Sequence, residues 1–108
     1  MARHESFVHN NLEMGDQIQL VFIGSSTIQN WGTTGIEIWN QKYAPLGAVN
    51  YGIGGDRTEH TLWRIQNGEL DNIKPKMVVL YVGSNNVITN ATVPEIIRGV
   101  TTVLDEIR

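Results

Sequence analysis

Three short stretches of glycine and polar residues hold the groups of this chain that are suited to covalent chemistry. They are residues 24–27, 52–56 and 83–86. The first offers a serine hydroxyl, the second offers backbone N–H groups beside glycine, and the third offers a carboxamide. A hydroxyl nucleophile facing N–H donors is the equipment of acyl transfer, because the donors stabilise the oxyanion that develops. Each stretch taken singly is also ordinary turn sequence, so the prediction requires all three to meet.

Each polar stretch follows a short apolar run that is typical of a buried strand. The three runs are residues 18–23, 48–51 and 77–82. Segments with helical spacing and helix boundary signals surround them, at residues 3–14, 36–43, 56–67 and 92–107. This α-β-α-β-α-β-α order predicts an α/β fold, a parallel sheet with helices on its faces. The carboxyl ends of the strands then meet at one edge, which is where such sheets bind ligands.

Helix boundaries are predicted from capping residues. Asp56 with Glu59, and Thr92 with Glu95, each have the spacing of a capping box. Gly68 stands where a C-terminal cap glycine belongs. The last polar stretch is expected to be a loop that breaks the third strand.

Three sequence blocks resemble those of the SGNH (GDSL) hydrolases, in the same order and spacing. They are residues 21–28, 50–58 and 82–86. The connecting residues 62–70 and 74–76 are similar to the platelet-activating-factor acetylhydrolase β/γ-subunit-like branch. This resemblance, which covers nearly the whole chain, implies a flavodoxin-like three-layer α/β/α sandwich with parallel strand order 2-1-3-4-5. Residues 1–108 would supply about three of those strands, as a single incomplete domain.

The same resemblance implies roles for three residues. Ser26 falls on the nucleophile, which would form an acyl-serine intermediate. The backbone N–H of Gly55 and the side-chain amide of Asn85 fall on the oxyanion hole, together with the N–H of Ser26 itself. General chemistry agrees, since glycine permits close backbone approach and an amide donor aimed at an oxyanion contributes about 3 to 4 kcal/mol.

Two features depart from the family pattern. Ser25 precedes the expected nucleophile where the family has Asp, so a negative side chain next to the site is missing. The family's Asp-x-x-His block, which supplies the general base, is not reached before Arg108. A serine hydroxyl without a base is a weak nucleophile. His60 is predicted on a helix that leads away from the loops, and His4 and His9 are assigned no site.

Composition excludes several function classes. Eight Lys and Arg against eleven Asp and Glu give a net charge of −3, which is unfavourable for binding nucleic acid or an anionic membrane surface. The chain has no cysteine and no apolar run near the roughly 18 residues of a membrane span. The first six residues lack the apolar core of a signal peptide, so a cytoplasmic location is expected. No metal and no organic cofactor is expected.

A dinucleotide site is a weaker interpretation of the second polar stretch. Gly52 and Gly54 follow a strand, but the third glycine of that fingerprint would fall at Arg57. The ribose-binding acid about 20 residues further on is not evident. Three tryptophans are expected to pack rather than to stack on bases, since they have few basic neighbours. They are Trp31, Trp39 and Trp63.

The predicted function is a serine ester hydrolase that removes a short, acetyl-like acyl group from an alcohol or a carbohydrate. The acyl length follows from the resemblance only. The alternative is an inactive remnant or an interaction module of the same fold. Residues 77–82 would be an exposed edge strand, and an uncharged edge is a template for pairing. That edge is expected to pair with a second copy of the chain or with a complementing chain.

Overall fold

The computed structural model describes residues 2–88 and 90–107. The strands are β1 (Leu20–Gly24), β2 (Ala48–Gly52) and β3 (Met77–Tyr81). The helices are α1 (Ala2–Met14), α2 (Ser26–Gln29), α3 (Ile36–Ile38), α4 (Thr58–Arg64), α5 (Ser84–Ile88) and α6 (Val93–Ile107). Wider π-helical turns extend α3 through Trp39–Tyr43 and α4 through Ile65–Glu69. Single 3-10 turns occupy Gly15–Gln17, Asn30–Gly32 and Ala44–Leu46.

The three strands form one parallel sheet in the order β2-β1-β3. Ile23 of β1 lies in register between Tyr51 of β2 and Leu80 of β3. The order and direction of the strands confirm the predicted α/β arrangement. The central strand β1 is a continuous apolar run because both of its faces are covered.

One apolar cluster lies on each face of the sheet. The larger cluster holds Val21 and Ile23 of β1. Its other members come from α1, from β2, from the π-helical extension of α4, from α6 and from the residue just before β1. They are Phe7, Val49, Tyr51, Ile65, Val103 and Ile18. The smaller cluster holds Phe22 of β1 with Ile28 and Trp39. Successive β1 side chains therefore point to opposite faces, which gives the three-layer sandwich.

Two glycines bring the strand ends into direct backbone contact with their neighbours. A Cβ on Gly24 would overlap the carbonyl oxygen of Tyr81, and a Cβ on Gly52 would overlap the backbone nitrogen of Gln29 in α2. The ends of all three strands and the helix that follows β1 are therefore packed closely at one edge of the sheet.

Two predicted local structures are wrong. Asp56 does not cap α4, because the helix begins at Thr58 and the Arg57 N–H donates to Nδ1 of His60 over 3.0 Å. The Asp56 carboxylate pairs with Arg64 instead. The polar stretch after β3 is not a loop, because it forms the short helix α5.

Two other predicted helix boundaries are confirmed, the start of α6 and the end of the extension of α4. The Thr92 N–H donates to Oε1 of Glu95 over 3.0 Å, and the Glu95 N–H donates to Oγ1 of Thr92 over 3.3 Å. These reciprocal bonds are the capping box expected at the start of α6. The backbone that extends α4 leaves helical geometry at Asn67 and Gly68, as the cap glycine predicts.

β3 carries exposed apolar side chains at an open edge. Within residues 2–88 and 90–107 no strand pairs with the outer side of β3. Met77 is 61% exposed and Tyr81 is 50% exposed, and Ile97 of α6 is 60% exposed. The predicted exposed edge is therefore present in the described fold. No helix of the described segments has the length and apolar character needed to cross a bilayer.

Candidate active site

Backbone hydrogen bonds tie the three strand ends together beyond the sheet. The Ile53 N–H, just after β2, donates to the carbonyl of Gly24 over 2.9 Å. The Ser25 N–H, just after β1, donates to the carbonyl of Tyr81 over 3.2 Å. The three stretches predicted to carry the chemistry therefore begin next to one another, joined by backbone hydrogen bonds.

Ser26 is the first residue of α2 and its side chain is exposed. The turn after β2 lies beside it: a Cβ on Gly54 would stand 3.8 Å from the Cβ of Ser26. The Gly54 N–H also donates to Oε1 of Gln29 in α2. These contacts place the Ser26 side chain, through its Cβ, next to the glycine turn of the second stretch.

Gly55 presents its backbone to open space. Its φ of +86° lies in the left-handed region that favours glycine, and a Cβ placed there would meet nothing within 4 Å. Among the described residues, no hydrogen-bond acceptor is recorded for its N–H. An uncommitted N–H at a sheet edge is available to a ligand.

Asn85 lies half-buried in α5, and its Nδ2 donates to the carbonyl of Asp56 over 2.9 Å. The next residue strengthens the attachment, because Oδ1 of Asn86 accepts from the Thr58 N–H over 2.9 Å and its Nδ2 donates to Oγ1 of Thr58 over 3.1 Å. Two consecutive carboxamides thus hold α5 against the β2–α4 connection and the start of α4. The carbonyl that the Asn85 amide binds belongs to Asp56, the residue that follows Gly55.

A buried charge cluster underlies these loops, and the sequence reasoning missed it. It consists of His4, Asp56, Arg64 and Glu69, none more than 7% exposed. The Arg64 guanidinium pairs with both carboxylates, and Nδ1 of His4 lies 2.8 Å from Oε2 of Glu69. One sequence signal pointed to the burial of Arg64. Residues three apart on a helix share a face, and Thr61 and Arg64 lie on the face that α4 buries.

Burial raises the pKa of the Glu69 carboxyl, because the interior disfavours its charged form. The positive charge of Arg64 and the hydrogen bond from His4 act in the opposite direction. Glu69 is fully buried. A carboxylate in such a position is retained only where its lone pairs are satisfied by partners of this kind.

The three histidines are held in contacts other than with Ser26. His4 contacts Glu69, and His9 lies 2.9 Å from Glu13 on the surface of α1. Nδ1 of His60 accepts from the N–H of Arg57, just before α4. That His60 is not a relocated base remains a prediction. Trp63 is 42% exposed, and its ring packs on the His4 ring with 5.0 Å between the centroids. Trp63 therefore packs against another side chain, as expected, although it lies at the surface.

Ser25, which resides where the family pattern has Asp, is fully buried. Its hydroxyl has no hydrogen-bond partner within the described residues. The described segments also contain no group of three or more His, Cys, Asp or Glu side chains placed to hold a metal ion.

A parallel sheet in the order 2-1-3, covered by helices on both faces, defines the flavodoxin-like class of α/β proteins. Residues 22–108 match the GDSL-like lipase/acylhydrolase family, and the chain belongs to that family. The resemblance seen in the three sequence blocks is therefore confirmed.

Curated relatives are subunits of one enzyme. The chain is 46% identical over 86 residues to platelet-activating factor acetylhydrolase IB subunit alpha1 of Rattus norvegicus, covering 80% of this chain and 35% of that protein. It is 47% identical over 87 residues to subunit alpha2 of Homo sapiens, covering 80% of this chain and 36% of that protein. The chain spans about a third of the length of these relatives.

A solved structure confirms the fold. It is the crystal structure of a candidate acylhydrolase from Bacteroides fragilis NCTC 9343, which matches this chain with a TM-score of 0.75 at 19% sequence identity. The match covers 94% of this chain and 50% of the other.

Proposed function

We propose that this chain carries the nucleophile and the oxyanion donors of a serine ester hydrolase. The observation that supports the proposal is that the turn holding Gly55 lies against Ser26 at Gly54 and accepts a hydrogen bond from the Asn85 carboxamide at Asp56. Membership of the acylhydrolase family agrees with it.

In this proposal Oγ of Ser26 attacks the ester carbonyl carbon. The carbonyl oxygen becomes an oxyanion that accepts from the N–H of Gly55, the N–H of Ser26 and the amide of Asn85. The carbon–oxygen bond to the alcohol then breaks, the alcohol leaves with a proton, and the acyl group stays on Ser26. Water attacks the acyl carbon, the bond to Oγ of Ser26 breaks, the acyl group leaves as the carboxylic acid and the serine hydroxyl is regenerated.

Full turnover by this mechanism needs a general base that removes the Ser26 proton. Each histidine of the chain is engaged elsewhere, so we propose that the base comes from a segment other than the described residues. A complementing chain seated on the open edge of β3, or a second copy there, is the arrangement that this edge supports.

The proposed substrate is a small ester whose acyl group is short. The relatives are named for removing an acetyl group from platelet-activating factor, and an acylated alcohol or carbohydrate is the class we carry over to this chain. The cytoplasmic location expected from the sequence remains a prediction, which cell fractionation checks.

Labelling with a fluorophosphonate tests the nucleophile, because the probe transfers its phosphorus to an activated serine and releases fluoride. Because the base is proposed to come from another segment, labelling of this chain alone should be slow. We expect a mass shift that maps to Ser26, is absent in Ser26→Ala and is unchanged in Ser6→Ala. Ser6 is a matched control, since its exposed hydroxyl donates to the Arg3 carbonyl on α1 and to no other group of the described residues. Hydrolysis of p-nitrophenyl acetate is measured on the same three proteins.

Two results are decisive. Hydrolysis that disappears in Ser26→Ala excludes the alternative function, an inactive interaction module of the same fold. The engaged histidines and the unpartnered Ser25 hydroxyl favour that alternative. Absence of labelling, with no hydrolysis above that of Ser26→Ala, contradicts the proposed chemistry in this chain.

A further inference from the structure

The Arg64 side chain reaches back from α4 to the ends of two strands. Its Nη2 donates to the carbonyl of Gly24 over 3.0 Å, and its Nη1 donates to the carbonyl of Tyr51 over 2.9 Å. The side chain is nearly fully buried. One planar guanidinium therefore connects the carboxyl ends of β1 and β2. Gly24, its partner in β1, lies two residues before Ser26.

The same guanidinium also holds the turn after β2. Oδ2 of Asp56 accepts from Nε of Arg64 over 2.9 Å, lies 2.8 Å from Nη2, and accepts from Oγ1 of Thr61 over 3.0 Å. Asp56 directly follows Gly55, and its carbonyl accepts from the Asn85 amide. Asp56 thus connects Arg64 to both expected oxyanion donors.

Glu69 and two residues of α1, His4 and Asn11, complete the buried cluster around Arg64. Arg64 Nη1 also donates to Oε1 of Glu69, whose Oε2 contacts His4 and whose carbonyl accepts from Nδ2 of Asn11 over 2.8 Å. The guanidinium donates to four acceptor groups at once, two backbone carbonyls and two carboxylates. This matches the fixed fork of five N–H groups that arginine has and lysine lacks.

We propose that Arg64 is the positioning residue of the site, fixing the spacing between the Ser26 segment and the Gly55–Asn85 donors. This inference deepens the proposed function and rests on it for its catalytic consequence. Arg64 does not touch the reacting atoms. It acts through the backbone of Gly24 and through Asp56, and a loss of about 1 Å in alignment costs up to about 100-fold in rate.

The test compares Arg64→Lys with Asp56→Asn, using Arg98→Lys as the matched control because Arg98 is exposed on α6. Fluorophosphonate labelling of Ser26 is measured against probe concentration. For Arg64→Lys we expect the maximal labelling rate to fall at least about tenfold while the half-saturating probe concentration changes less than about twofold. Arg98→Lys should match the parent chain.

Amide hydrogen exchange measures the positioning without any chemistry. In Arg64→Lys, exchange should accelerate at least about tenfold in both residues 24–26 and residues 53–56. In Asp56→Asn it should accelerate in residues 53–56 only, because the bonds of Arg64 to the Gly24 and Tyr51 carbonyls remain. If Arg64→Lys does not fold, Asp56→Asn still gives this selective pattern or its absence.

The two proposals fail in different ways. An unlabelled parent chain contradicts the proposed function. The hydrogen-exchange rates then test the positioning role of Arg64 without the labelling data. Unchanged exchange in residues 24–26 and 53–56 of Arg64→Lys contradicts the positioning role, as does uniform acceleration in Asp56→Asn. A labelling defect that appears only in the half-saturating concentration contradicts it as well.

Discussion

At the scale of single residues, the site depends on backbone segments that touch without side chains between them. Gly52 ends β2 directly beneath the first turn of α2, which begins with Ser26. The contact is between backbone atoms on both sides, so neither side can relax by turning a side chain.

Replacing Gly52 by Ala should destabilise the fold by about 3 kcal/mol, because the added methyl overlaps the Gln29 backbone nitrogen. Urea unfolding measures the change. Gly32→Ala is the control, since the nearest atom to its added methyl is 3.6 Å away, and it should cost less than about 1 kcal/mol. Equal costs for the two substitutions would show that the close approach at Gly52 is not rigid.

At the scale of elements, capping and burial decide where helices start. Thr92 and Glu95 satisfy each other's N–H groups at the start of α6. Hydrogen bonds from the Thr92 hydroxyl and from its backbone N–H lower the pKa of the Glu95 carboxyl. A carboxyl whose pKa falls on folding stabilises the fold above its unfolded pKa, and this contribution is lost as the pH falls through the folded pKa.

Glu95→Gln should therefore lower the Tm near pH 7. The difference from the parent chain should shrink as the pH falls below the ordinary carboxyl pKa of 4.5 and vanish once the pH is below the lowered pKa of Glu95. Thermal unfolding followed by circular dichroism across this pH range measures it. Glu106→Gln removes the same charge from an exposed position near the other end of α6, where a negative charge opposes the helix dipole. A pH-independent difference for Glu95→Gln would contradict the capping role.

The sequence predicts the elements well where the signal is local. β1, β2 and β3 follow from apolar runs, and the start of α6 follows from residues three apart. Arg64 was missed because its partners are distant, with Gly24 lying 40 positions away. The capping role predicted for Asp56 was wrong because its carboxylate pairs with the guanidinium of Arg64 instead, a buried ion pair that the spacing of a capping box does not reveal.

At the scale of the whole molecule, β3 is the element through which we expect the chain to associate with another chain. Its outer edge is unpaired in the described residues, and Met77 and Tyr81 are largely exposed. An apolar, uncharged edge strand invites pairing with another chain. The catalytic consequence is direct, because the proposed base has to come from a segment beyond the described residues.

Light scattering after size exclusion should give a mass above the 12.1 kDa of one chain. Met77→Lys should shift the mass toward one chain, because a lysine on an edge strand opposes pairing. Leu46→Lys changes a leucine that is 60% exposed outside the sheet and should leave the mass unchanged. A parent chain of one-chain mass that unfolds cooperatively would contradict the association.

An experimental structure of the phosphonylated chain tests the central claim most directly. The account predicts phosphorus on Oγ of Ser26, with its oxygen roughly 2.7 to 3.1 Å from both the Gly55 nitrogen and Nδ2 of Asn85. An adduct on a different residue, or an oxygen directed away from both donors, would contradict it.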